Sequence, residues 1–255
     1  MLTDTQLREV FHFSFLDRLL KVSTPSLYVL KGGVNLRFFF NSPRYSEDMD
    51  LDVLAGNVST LKKNGYKILR DGAFIRNLRT YGIEDIDIND PEKAKQTETT
   101  QRFRCGLITP AGHRLPTKVE FSRRRSSAEE PVMALIDPEI ARQFHKRAYR
   151  CQHYSGEVAV LQKIRALAGR SETQARDVFD LGILHEGGYA SSIKTNKTLT
   201  GKLRKQAVNA MLSLTLDDFN GQVVEFLDAE NRAVYGSAPA WEQLQETILG
   251  LLDDA

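Results

Sequence analysis

Only two cysteines, Cys105 and Cys151, occur in this 255-residue chain. They form neither a metal-ligand spacing nor a disulfide framework, which suits a reducing cytoplasm. No apolar run approaches the roughly 18 residues of a membrane span, so no membrane partner is expected. Net charge is scarce as well. Thirty-five basic residues against 33 acidic ones leave a formal +2, which names no partner for the chain as a whole. There is no G-x-x-x-x-G-K-[ST] loop, against a P-loop NTPase. His12, His113, His145, His153 and His185 show no H-E-x-x-H spacing, against a zinc hydrolase of that type. A G-x-S-x-G elbow, internal repeats and low-complexity tracts are all missing. The N-terminus, MLTDTQLREVFHFSFLDRLL, carries Asp4, Arg8, Glu9 and Asp17, and reads as an amphipathic helix rather than a signal peptide. With 41% hydrophobic residues the chain can bury a sizeable core. A soluble cytoplasmic protein of one large or two small domains is expected.

What is present begins at YVLKGG (28–33), a short apolar segment ending in a glycine pair. VNLRFFF then reads as a helix, and such a glycine turn leaves backbone N–H groups facing outward. Pro43 in NSPRYS breaks the helix. MDLDVL alternates, with Met49, Leu51 and Val53 on one face and Asp48, Asp50 and Asp52 on the other. A helix is predicted near 56–66. RFRCGLI (102–108) and HRLPTKVEFSRR (113–124) are predicted as two strands joined at Pro110–Ala111–Gly112. The segment EDIDIND (84–90) repeats the acidic alternation, but no glycine turn precedes it, and it reads as an edge strand or solvated loop. From 131 onward helical patterns dominate, over 131–148, 156–170, 172–186, 200–212, 216–230 and 240–253.

Carboxylates at i and i+2 of a strand stand about 6.8 Å apart at the backbone and on one side. Their tips can converge on a hard cation such as Mg²⁺, which favours one or two carboxylates plus water and phosphate oxygens. A metal pair about 3.5–4 Å apart can activate an attacking hydroxyl and stabilise a departing pyrophosphate. Glu120, on the polar face of TKVEFS, is the candidate third acid. Acids alternating with apolar residues are also what a surface strand of any antiparallel sheet looks like. On 156–170, Lys163 lies beside a stripe of Val160, Leu161, Ile164, Leu167 and Ala168, suited to a triphosphate or simply solvated. On the next helix Asp177 and Asp180 share a face, and Arg176 and Asp180 are spaced for an i,i+4 ion pair.

K-G-G-x-N-L-R followed by P-R-Y-S-E-D-M-D-L-D resembles the AbiEii/AbiGii nucleotidyltransferase toxin family, the toxin halves of type IV toxin–antitoxin systems. The wider superfamily is similar to polymerase β and is marked by a Gly-Gly or Gly-Ser turn followed by D-x-D. Fourteen residues separate Gly33 from Asp48, similar to the longer spacing of this branch. TKVEFSRR resembles the segment with the third acid, and LQKIRALAGRSETQARDVFDLGIL (161–184) the late lysine and R-D-x-x-D-L motifs. These four segments span about residues 30–185. The family often has Ser or Thr where this chain has Val34, which leaves the backbone N–H groups of Gly32 and Gly33 to meet phosphate.

The resemblance implies an α/β (α+β) fold: a nucleotidyltransferase-type mixed sheet over residues 1–130, then a helical C-terminal lobe over 131–255. It implies transfer of a nucleoside monophosphate from an NTP to a hydroxyl with Mg²⁺ or Mn²⁺. Asp48, Asp50 and Glu120 would be the metal and catalytic residues, with Glu120 completing the site or acting as general base. Gly32, Gly33, Arg44, Ser46 and Lys163 would bind nucleotide, with Arg37 assisting. Asp177 would line a cleft between lobes and position Lys163 or the acceptor, while Asp180 braces its helix. RNA, with the tRNA 3′ end first, is the implied acceptor, and a separately encoded antitoxin the implied partner. Basic stretches through Arg102, Arg104, Arg114, Lys118, Arg123, Arg124 and Arg125, and through His145, Lys146, Arg147 and Arg150, accord with RNA. Phe103, Phe121, Phe144 and Tyr149 are interleaved with them. A small-molecule nucleotidyltransferase similar to antibiotic-modifying enzymes, or a non-enzymatic nucleic-acid-binding regulator, remain the alternatives.

Overall fold

The structure, a computed structural model, describes residues 2–90, 97–123, 130–191, 193, 196 and 198–253. Its packing divides into two compact units. One comprises residues 1–39 and 45–154, the other residues 40–44 and 155–255.

The first unit is built on a mixed seven-stranded sheet of order β3-β4-β5-β2-β1-β7-β6. Its strands are β1 (Tyr28–Lys31), β2 (Asp48–Val53), β3 (Asp85–Ile88), β4 (Thr100–Ile108), β5 (Arg114–Ser122), β6 (Val132–Leu135) and β7 (Arg150–His153). Strand β2 runs antiparallel to β1 and parallel to β5, so the acidic segment sits in the middle of the sheet. Period-two alternation divides the faces. Leu30, Met49, Leu51, Val119, Phe121 and Phe103 occupy one face and are buried. Helix α1 (Asp4–Val22) supplies Phe11, Phe15, Leu16 and Leu19 to the same core, held at its start by a reciprocal Thr3–Gln6 capping box. Helices α3 (Val58–Leu69) and α4 (Gly72–Arg79) add Leu61, Tyr66, Phe74 and Leu78. Each such side chain contributes about 1.5–3 kcal/mol through burial. Edge-to-face rings tie the layers together, Phe103 meeting Phe121 at 5.7 Å and Tyr66 at 4.9 Å.

Within the 84–90 segment Asp85–Ile88 forms the edge strand β3, and the expected hairpin forms as β4 and β5, with Gly112 in the left-handed region at its turn. The 131–148 helix does not form. Asp137 caps a short α5 (Pro138–Gln143) that starts on Pro138, while Val132–Leu135 pairs with β7 instead. Because β7 in turn pairs with β1, residues 131–154 pack with the sheet, and the division falls after Tyr154 rather than at 130.

The second unit is helical, with α6 (Gly156–Gly169), α7 (Ala175–Glu186), α8 (Gly201–Leu212), α9 (Leu216–Gln222), α10 (Ala229–Tyr235) and α11 (Ala238–Asp253). Val160, Ile164, Leu167, Val178, Phe179, Leu181, Met211, Phe219, Trp241 and Ile248 are buried in it. Phe219 stacks on Trp241 at 4.7 Å and meets Phe179 at 6.2 Å. The expected single helix at 216–230 is broken because Asp228 accepts from Asn231 N and starts α10 afresh. Residues 40–44 join this unit through Phe40, whose ring meets Tyr189 edge-on, and through Arg44. Among the described residues no helix is long and apolar enough to cross a membrane.

Candidate active site

The polar face of the first unit's sheet follows directly from register. Lys31 pairs with Asp50, Asp50 with Glu120, and Glu120 with Arg102. Residues paired across neighbouring strands point to the same side, so β1, β2, β5 and β4 carry one row of charges: plus, minus, minus, plus. A second row holds Asp48, Lys118 and Arg104, and a third Asp52 and Ser122.

Most of these charges are matched within the protein. Asp48 accepts from Lys118 Nζ at 2.5 Å and from Lys118 N at 3.1 Å. Glu120 accepts from Arg102 Nε at 2.6 Å. Asp52 accepts from Lys31 Nζ at 2.5 Å and from the Tyr154 hydroxyl at 2.8 Å. Among the acids Asp50 is the exception: its side chain has no hydrogen bond or ion pair to any described residue. Burial pushes the Asp50 carboxyl above its usual range, opposed by Lys118 and Lys31 and aided by the nearby charges of Glu120 and Asp48. A carboxylate in that position gains from any added cation.

The glycine turn lies against it. Gly32 opens α2 (Gly32–Phe39) with φ +69°, a left-handed conformation that costs other L-residues about 1–2 kcal/mol. A Cβ at Gly32 would stand 3.1 Å from Asp50 Oδ2. Glycine is therefore needed twice here, for the turn and for the approach. Gly33 is the next residue of α2, and Val34 after it is buried in the core, so no hydroxyl is offered there. Ser46 donates to Asp48 O at 2.9 Å, bracing the entry to β2. Arg37 donates to Glu9 at 2.6 Å and lies over the Tyr45 ring.

Among the described residues no three His, Cys, Asp or Glu side chains gather into a metal-holding group. Asp48, Asp50 and Glu120 do share the sheet face, but Lys118 and Arg102 hold two of them. Their donor chemistry fits a hard divalent ion, carboxylate oxygens being what such ions take, and Asp50 is uncommitted.

The remaining expected residues lie in the second unit. Lys163 Nζ is 2.8 Å from Asp177 Oδ1 and 2.5 Å from Asp180 Oδ2. Arg44 Nη2 lies 3.1 Å from both oxygens of Asp180, and Arg170 Nε lies 2.8 Å from Asp177 Oδ2. Asp180 thus pairs with Arg44 and Lys163, rather than with Arg176 as helical spacing suggested. Burial acts to lower the Lys163 ammonium, but Asp177 and Asp180 outweigh it and leave its pKa raised. Burial acts to raise Asp180, but Arg44 and Lys163 reverse that and hold it low. Lys163 is therefore a charged ammonium in a buried network, and Arg44 is part of the same network.

The basic stretches lack the interleaved aromatics. Phe103 and Phe121 alternate with Arg102, Arg104, Lys118 and Glu120 in sequence, so the pleat sends the rings to the core face. Phe144 is buried, and Tyr149 donates its hydroxyl to Phe13 O. Arg114 is spent on Asp87 and Asn89, and Arg150 on Met133 O. Arg124 and Arg125 lie outside the described residues. Sequence reasoning placed Asp52 on the acidic face but gave no role to it, to Lys31 or to Tyr154. The extra acid two residues past D-x-D was the one visible signal.

A family model described as the nucleotidyl transferase AbiEii toxin of type IV toxin–antitoxin systems matches residues 14–254. The sequence matches no curated protein. Among solved structures, the nucleotidyltransferase toxin MenT4 of Mycobacterium tuberculosis is similar with TM-score 0.62 and 19% identity, covering 99% of this chain and 85% of that one. A putative nucleotidyltransferase from Helicobacter pylori gives TM-score 0.54 at 20% identity, over 99% of this chain and 98% of its own. JHP933 of the same organism gives 0.52 at 21%, over 100% and 96%. At these identities the solved structures speak for the fold.

Proposed function

This chain belongs to the AbiEii nucleotidyltransferase toxin family of type IV toxin–antitoxin systems, and from that premise we propose a specific reaction for it. It transfers a nucleoside monophosphate from an NTP to a hydroxyl of RNA, with the tRNA 3′ end as the favoured acceptor, and releases pyrophosphate. A separately encoded antitoxin restrains it, and it works in the cytoplasm, where both substrates are found.

The observation that carries the reading is Asp50, an unmatched carboxylate in a row of charged neighbours, approached by the backbone of Gly32. Asp48, Asp50 and Glu120 would hold Mg²⁺ or Mn²⁺. Such an ion, when bound, neutralises charge on the transferring phosphate and the departing pyrophosphate. The chain's own groups do the rest. Gly32 and Gly33 admit the phosphates close to the backbone. Lys118 and Arg102, which hold Asp48 and Glu120, put positive charge on the same sheet face for nucleotide or RNA phosphate. Glu120 either completes the carboxylate set or accepts the acceptor hydroxyl's proton.

The test is incubation with each α-labelled NTP, Mg²⁺ and total RNA. Label should move to RNA and should be lost in Asp48→Ala and Asp50→Ala proteins that retain the parental circular dichroism. Transfer surviving both substitutions refutes the assignment. Labelling of a small acceptor without RNA would instead favour the small-molecule enzyme.

A further inference from the structure

We infer that Lys31 is a phosphate-binding side chain of the transfer site and that Asp52 and Tyr154 are the positioning residues that fix it. The inference rests on the nucleotidyl-transfer reading above. The D-x-D-x-D run puts three carboxylates on one sheet face, and Asp52 is unlike the other two. Its side chain is 6% exposed, and both its oxygens are committed, Oδ1 to Lys31 Nζ at 2.5 Å and Oδ2 to the Tyr154 hydroxyl at 2.8 Å. Asp52 therefore has no oxygen left uncommitted for a metal ion.

What Asp52 holds is informative. Lys31 ends β1, directly before Gly32, and its register partner is Asp50. An ammonium has three N–H donors. Lys31 makes one hydrogen bond to the described residues, the one to Asp52, so two donors remain for an outside acceptor. Its side chain is only 13% exposed. A lysine with so little solvent and so few partners, beside a turn where bare backbone approaches an unmatched carboxylate, is placed to receive non-bridging phosphate oxygens of a nucleotide.

A purely structural staple between β1 and β2 explains less. An apolar pair of similar volume would serve as well, because burying two ions costs desolvation that their attraction scarcely repays. Nor would a staple need the Tyr154 hydroxyl. Tyr154 follows β7 and is itself anchored by its N–H to Leu30 O at 3.2 Å, one residue before Lys31. Three segments of the first unit thus converge to set the location of one ammonium. No bond is made or broken by Lys31. It supplies charge and two hydrogen bonds.

The test compares binding of α,β-methylene NTP analogues with binding of the matching nucleosides. Lys31→Met should weaken the triphosphates about ten- to a hundredfold, the loss of charge-assisted hydrogen bonds, and leave nucleosides near the parental affinity. Lys31→Arg should recover part of the loss, and Tyr154→Phe should give a smaller loss in the same direction. If Lys31→Met does not fold, Lys31→Met/Asp52→Asn, neutral on both sides, carries the same comparison. Triphosphate affinity unchanged in these variants, or equal losses for triphosphate and nucleoside, overturns the inference. Asp50→Asn separates the two layers. If it abolishes label transfer while the Lys31 variants bind normally, only the role of Lys31 falls; if it transfers label at the parental rate, both readings fall.

Discussion

Replacing Asp180 by alanine should destabilise the helical unit severely. Asp180 is fully buried, and its two oxygens face Arg44, itself 4% exposed, and the Lys163 ammonium. Removing it takes away a carboxylate that Arg44 and Lys163 share and leaves the network rich in buried positive charge. Breaking a buried pair from one side costs about 3–5 kcal/mol, a large part of the roughly 5–15 kcal/mol that holds a folded protein. The assay is urea unfolding followed by the fluorescence of Trp241, the chain's one tryptophan, which stacks on Phe219 within the same unit. With a slope of about 2–3 kcal/mol per molar, the midpoint should fall by roughly 1–2 M. Neutral Asp180→Leu/Arg44→Met should recover part of that, since matched apolar replacement of a buried pair is often tolerated. The pH dependence fixes the sign. Asp180 titrates below its ordinary 3.8 in the folded state, so its contribution is present above that value and is lost as pH falls through the folded value. Parent and variant should therefore converge in acid. A loss under about 1 kcal/mol at neutral pH, with no convergence in acid, refutes the assigned network.

Two further outcomes follow from the first unit. Gly32→Ala should lose about 1 kcal/mol of stability by urea titration, the left-handed penalty partly offset by reduced unfolded-state entropy. Its loss of label transfer should be larger, because the new Cβ presses on Asp50 Oδ2. Transfer at the parental rate would remove the glycine turn from the site. His12 donates from Nε2 to Thr117 Oγ1, which donates in turn to Glu47 O. Burial lowers His12 from 6.5 to about 4, against the pull of Asp48. The neutral ring is thus favoured in the fold, with its stability complete above pH 6.5 and lost as pH falls toward 4. The difference in unfolding free energy between the parent and His12→Gln should shrink by about 3 kcal/mol over that window, and a flat difference would contradict the buried neutral ring.

Where structure followed the pleat, the sequence was legible. Alternation in 48–53 and in 118–122 correctly divides core from charge, and the glycine pair marks the turn beside Asp50. Partners set by register were not legible. Nothing local tells that Asp52 meets Tyr154, 102 positions away, or that Arg44 meets Asp180, 136 away. Helical spacing offered Arg176 to Asp180, and tertiary packing supplied Arg44 instead. The run 131–148 looked helical because its apolar residues suit either period. Pairing of Val132–Leu135 with β7 decided the matter. Rings interleaved with arginines looked like a nucleic-acid stripe for the same reason that they are not one: neighbours in a strand face opposite ways.

The assignment of residues 40–44 to the helical unit has a consequence for how the chain matures. Arg44 leaves the ribosome 136 residues ahead of the carboxylate that will hold it. During translation the sheet half must wait with a short arm undocked, and a fragment starting at Ser155 would bring Asp180 to its burial site without Arg44. Dissecting this protein into halves therefore calls for supplying the five-residue arm in trans or splicing it onto the helical part.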